Sequence, residues 1–151
     1  MRMKKTGSFK AMKLCRDYEK LGEEERKALQ RKRLKEIVEW AKENSPYYAD
    51  LYQNLPEDFK LEDLPMVNKR VLMENWNDWI TDRDLTLEEV EKFMEDTDNI
   101  GRKIRKKYMV FTTSGSTGNP LVAIYDDTTN NVMGGICACR SYARREDLKA
   151  F

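Results

Sequence analysis

Polar and apolar positions change their spacing along this chain, and each change predicts a different kind of element. Over residues 23–44 the composition is mostly Glu, Lys, Arg, Leu and Ala. Leu34, Ile37, Val38 and Ala41 recur at i, i+3, i+4 and i+7, which predicts an amphipathic helix with one buried stripe. Ser45-Pro46 supplies an N-cap and a proline at the first helical position, opening a short helical segment that carries Tyr47, Tyr48, Leu51 and Tyr52. Pro56 and Pro65 bracket a polar connection. Asn68 then caps a segment over 69–75, and Trp76, Trp79 and Ile80 follow as an apolar anchor. Thr86 and Glu89 have the reciprocal spacing of a capping box, ahead of an apolar face of Leu87, Val90, Phe93 and Met94. Residues 1–22, interrupted by Gly7 and Gly22, read as a basic, partly ordered tail with room for one short helix.

Beyond residue 98 the pattern becomes that of strands. Asn99 and Gly101 mark a turn, and 107–113 has the β-branched and aromatic content of a strand through Tyr108, Val110 and Phe111. A loop rich in Gly and Ser interrupts it, and 120–125 reads as a second strand with Leu121, Val122, Ile124 and Tyr125. Asp126 or Asp127 then caps a final helix over about 128–145, with Gly134-Gly135 as a weak point in its middle. The expected architecture is α+β, helical for its first two thirds, then strand, loop, strand and helix. Its expected divisions are a tail at 1–22, a helical subdomain at 23–98 and a strand-loop-strand-helix portion at 99–151. Two strands with uncovered edges would also favour a homo-oligomer.

Charge narrows the function classes. The 151 residues hold 28 basic and 27 acidic side chains and no His. The near-balance conceals blocks of alternating sign, +6 over 1–44, −10 over 45–98 and +5 over 99–151, which can neutralise one another on folding. No net basic excess supports nucleic-acid binding, although Arg31-Lys32-Arg33 and the run from Arg102 to Lys107 carry local positive charge. The absence of His excludes a Ser-His-Asp triad, a Cys-His pair and His-ligated zinc within these residues. No apolar run is long enough for a membrane span or a signal-peptide core, so no membrane partner and a cytoplasmic location are expected. Cys15, Cys137 and Cys139 are odd in number and read as reduced thiols, and Cys137-Ala138-Cys139 alone makes no metal motif. Trp40, Trp76 and Trp79 read as core rather than as a ligand pocket. Glu88, Glu89 and Glu91 read as a solvated helix face rather than paired catalytic carboxylates.

The stretch Thr112-Thr113-Ser114-Gly115-Ser116-Thr117-Gly118-Asn119-Pro120 is where candidate chemistry concentrates. Two glycines free the backbone to form a concave nest of N–H groups, and Ser114, Ser116 and Thr117 add hydroxyl donors, a combination suited to phosphate. It is neither a Walker A sequence nor a dinucleotide GxGxxG. On Gly and Ser content alone, a flexible hairpin connector is the more common reading.

The residue order adds to this. Phe111-Thr112-Thr113-Ser114-Gly115-Ser116-Thr117-Gly118-Asn119-Pro120 resembles the phosphate-binding signature of the adenylate-forming superfamily of acyl-CoA synthetases, peptide-synthetase adenylation domains and luciferases. The flanks Asn44-Ser45-Pro46-Tyr47-Tyr48, Leu64-Pro65-Met66-Val67-Asn68-Lys69 and Leu121-Val122-Ala123-Ile124-Tyr125-Asp126 are similar to the amino-terminal portion of the phenylacetate–CoA ligase branch, which also includes capsule-biosynthesis proteins. The resemblance spans about 34–145. It implies that Ser114, Gly115, Ser116, Thr117 and Gly118 bind the β- and γ-phosphates of ATP, with magnesium, while a small carboxylic acid attacks the α-phosphorus; coenzyme A is the usual acyl acceptor. Leu121 stands where the family often has Lys or Arg. The family's Tyr-Gly-x-Thr-Glu adenine segment and its late catalytic lysine have no counterpart here. The expectation is therefore an amino-terminal fragment of such a ligase or adenylyltransferase, without turnover of its own. The alternative is a stand-alone helical interaction module with a non-catalytic hairpin loop.

Overall fold

The computed structural model describes residues 6–114 and 120–141. Among them are seven α-helices, two short 3-10 turns and one two-stranded antiparallel sheet, so the fold is α+β with its strands late in the chain. Contacts group the chain into two units, Lys27–Ile124 and the pair of segments Met1–Arg26 and Tyr125–Phe151. The first and last of the described helices belong to one unit.

Helix α2 (Glu23–Asn44), whose residues from Lys27 onward belong to the larger unit, opens with Glu23, Glu24 and Glu25 at its positive end, where the helix dipole favours acidic side chains. Its buried stripe is narrower than the spacing indicates. Val38 and Ala41 are buried and Leu34 is half-buried, but Ile37 is 49% exposed, one position round the helix from Val38. Ser45 caps α3 (Pro46–Leu51): its hydroxyl accepts from the Tyr48 N–H and donates to the Asp78 carbonyl at 2.9 Å. Tyr48 stacks on Tyr52 and takes a hydrogen bond from the Trp79 indole. Asn68 caps α4 (Lys69–Glu74) through the Val71 N–H, and α5 (Trp76–Trp79) follows.

Thr86 caps α6 (Leu87–Glu95) by accepting from the Glu89 N–H. The reciprocal half of the expected capping box is replaced. The Glu89 carboxylate instead holds the Arg105 guanidinium through Nε and Nη2, a charge-assisted fork. The core gathers Trp76, Ile80, Leu85, Val90, Ile104, Tyr108 and Val122, joining the helices to the strands. Trp76 is therefore core, as its sequence context indicates. Ile104 and Tyr108 bridge a tight turn in which Arg105 and Lys106 take positive φ, and β1 (Met109–Thr112) and β2 (Val122–Tyr125) follow.

In the smaller unit, α1 (Ser8–Glu19) packs against α7 (Asp127–Ser141). Residues 8–19 are thus a three-turn helix with a partner, in the stretch between Gly7 and Gly22 where the sequence leaves room for one short helix. Asp126, one of the two candidate caps, accepts from the Thr129 N–H at 2.7 Å. Gly134-Gly135 does not interrupt α7. Gly135 is buried, and a Cβ there would lie 2.6 Å from both the Ala11 Cβ and the Ser8 carbonyl oxygen. The missing side chain is what lets the helices meet. Ser8 bonds Asn131, Ala11 faces Gly135 and Cys15 lies by Cys139, so both helices advance together and run parallel. Among the described residues no helix is long and apolar enough to cross a membrane.

Candidate functional site

The chain segments of the two strands close on each other at Thr113 and Leu121. The Thr113 N–H donates to the Leu121 carbonyl at 3.1 Å, and the Leu121 N–H returns to the Thr113 hydroxyl at 2.9 Å. Leu121 is half-buried with both backbone groups committed to this closure. Helical residues hold the stem from beneath. The Trp76 indole N–H donates to the Val122 carbonyl at 3.0 Å, and the Val122 N–H points to the Met73 sulfur at 3.4 Å. At Val122, therefore, the outward edge of β2 is already occupied, which reduces the open edge expected from sequence.

Of the predicted phosphate-binding residues, Ser114 is exposed at the end of the stem. Gly115, Ser116, Thr117 and Gly118 lie outside the described residues. Thr112 and Thr113, which precede it, are also exposed, and the Thr113 hydroxyl is the one that accepts from the Leu121 N–H.

The basic run leading into β1 is partly neutralised by the acidic middle of the chain. Arg105 is paired with Glu89 and also donates to the Asp84 carbonyl. Lys107 pairs with Asp82 at 2.8 Å and lies 4.6 Å from the centre of the Tyr108 ring, whose hydroxyl donates to the same carboxylate. The Lys107 hydrogen bond, followed by that of Tyr108, holds the Asp82 carboxyl below its ordinary pKa. Tyr108 is shifted upward, first by burial and then by Asp82. These pairs tie the turn to the segment before α6, as the alternating charge blocks imply.

A second cluster escaped the reading of the sequence. Cys15 Sγ, a Glu19 carboxylate oxygen and Cys139 Sγ lie within 4.8 Å of one another. Residues 15 and 19 share a helical face, but Cys139 reaches them only through the pairing of α1 with α7. The CxC spacing directs attention to Cys137 instead, and in a helix two positions apart means roughly 200° of rotation. Cys137 is accordingly exposed while Cys139 is buried.

Set against family models, curated proteins and solved structures, the chain has no match.

Proposed function

We propose that residues 114–118 form the phosphate-binding loop of an adenylate-forming carboxylic acid ligase or adenylyltransferase of the phenylacetate–CoA ligase kind. The observation that carries this reading is the order Ser114-Gly115-Ser116-Thr117-Gly118-Asn119-Pro120 between two strands that close on each other at Thr113 and Leu121. A stem clamped by Trp76 and Met73 suits a loop that must present N–H groups and hydroxyls in fixed directions, because transfer at phosphorus depends on positioning and charge stabilisation. The loop would hold the β- and γ-phosphates of ATP while a small carboxylic acid attacks the α-phosphorus. Acyl-adenylate and pyrophosphate are then the products, and coenzyme A is the acceptor the resemblance implies.

Thr112, Thr113 and Ser114 offer hydroxyls rather than carboxylates, which fits a magnesium ion carried mainly by phosphate oxygens and water. When bound, that ion supplies charge neutralisation. The test is calorimetric titration of the full chain with inorganic pyrophosphate. Gly115→Val and Ser116→Ala should each weaken binding on the order of tenfold, as expected for losing hydrogen bonds to a charged group. Equal binding by all three proteins, or none by the wild type, rejects the proposal.

A second reading, a helical interaction module, is favoured by Leu61 and Met66, which are 65% and 100% exposed in the segment before α4. It requires Leu61→Ser and Met66→Ser to abolish concentration-dependent association in sedimentation velocity.

A further inference from the structure

The paired helices α1 and α7 carry two thiols and a carboxylate whose chemistry none of the foregoing uses. The geometry points to a binding site for a zinc-class divalent cation formed by Cys15 Sγ, the Glu19 carboxylate and Cys139 Sγ.

The distances are close to what such an ion requires. Zinc–sulfur bonds of about 2.3 Å and zinc–oxygen bonds of about 2.0–2.2 Å in tetrahedral geometry place two sulfurs about 3.8 Å apart and a sulfur and an oxygen about 3.5 Å apart. Here Cys15 Sγ is 3.9 Å from Glu19 Oε1, and no pair among the three ligand atoms exceeds 4.8 Å. Side-chain adjustments of at most about 1 Å would close the site. Two ligands stand one turn apart on the same face of α1. The third has its register set by the contact of Gly135 with Ser8 and Ala11 one turn earlier, so the backbone that places it is already packed.

The environment selects the class of ion. Two thiolates favour zinc and other soft or borderline metals over magnesium or calcium. Cys139 is 5% exposed, Cys15 is half-buried and Glu19 is exposed, which leaves a solvent side for water as a fourth ligand. The dithiolate-carboxylate set carries −3 against +2, and Arg140 acts on Cys15 with the positive sign that offsets the remainder. The hydrogen bond with Cys139, followed by burial, raises the Cys15 thiol pKa. Thiol ligands bind as thiolates, so one divalent cation and two thiols give a metal dithiolate and two H⁺, with no change of oxidation state.

The experiment is titration of the reduced full chain with cobalt(II), followed by zinc displacement. The wild type should take up one ion per chain, with a thiolate-to-cobalt charge-transfer band in the near ultraviolet that zinc abolishes. Cys137→Ser should behave identically. Cys15→Ser should lose affinity on the order of a hundredfold, at the upper limit of the about 10–100-fold that an outer-sphere partner costs, and any band that remains should fall to that of the single thiolate of Cys139. Glu19→Gln should weaken uptake while keeping the band. Far-ultraviolet circular dichroism establishes that each variant retains its helices, and the wild-type spectrum stands whether or not a variant folds. The proposal is overturned by a reduced wild type without the charge-transfer band, by undiminished uptake in Cys15→Ser, or by equal loss in Cys137→Ser.

Discussion

Two adjacent glycines in α7 offer a test of helix packing in which neighbouring substitutions should move stability in opposite directions. At Gly135 an added Cβ would lie 2.6 Å from the Ala11 Cβ, 2.6 Å from the Ser8 carbonyl oxygen and 3.2 Å from the Met12 nitrogen. Carbon atoms in ordinary contact sit about 3.5–4.0 Å apart, so α1 would have to retreat by about 1 Å. Two of the three obstructing atoms are backbone and cannot rotate away. Overpacking of this kind costs about 1–3 kcal/mol, and the better helix propensity of alanine returns about 1 kcal/mol. Gly135→Ala should therefore destabilise by about 1 kcal/mol. At Gly134 an added Cβ meets nothing within 4 Å, and Gly134→Ala should keep the propensity gain of about 1 kcal/mol. The two variants should differ by about 2 kcal/mol, or roughly 4–8 °C in Tm for a chain of this length. Thermal and urea unfolding followed by far-ultraviolet circular dichroism reads the difference directly. If both alanines stabilise equally, the close approach of α1 and α7 is wrong, and the placement of Cys139 beside Cys15 falls with it.

Two other sites give predictions of different kinds. Ser45 is 1% exposed and its hydroxyl serves both the Tyr48 N–H and the Asp78 carbonyl; Ser45→Ala should cost about 1–3 kcal/mol through a lost cap and an orphaned carbonyl, seen as a lower urea midpoint with unchanged slope. The folded Asp82 carboxyl has its pKa lowered, chiefly by Lys107 and then Tyr108, whereas an unfolded Asp titrates near about 3.9. Its contribution should be fully present above the unfolded pKa and lost as the pH falls through the folded one. The urea midpoint of Asp82→Asn should lie below that of the wild type near neutral pH, and the gap should close under acid conditions; a gap independent of pH would refute the linkage.

Local signals were legible where the determining atoms lie within a few residues. Ser45, Asn68, Thr86 and Asp126 each accept a hydrogen bond from a backbone N–H three residues on, an arrangement set by side-chain length and helix geometry alone. The α+β order, the hairpin and the apolar face of α6 follow equally from short-range spacing. Of the candidate loop, the residue order and the flanking strands could be read in advance, because both are properties of a dozen consecutive residues.

Tertiary structure decided what depends on partners distant in the chain. Glu89 has the spacing of a capping-box residue, yet a guanidinium sixteen positions later competes for its carboxylate and forms two charge-assisted bonds. Gly135 has the local character of a helix breaker, but contact with Ser8 and Ala11 makes its missing side chain the condition for packing. Cys15 and Cys139 are 124 positions apart, and no periodicity relates them until two parallel helices set their register. Helix propensity and capping act over about one turn, whereas these three outcomes depend on which distant surfaces bury each other.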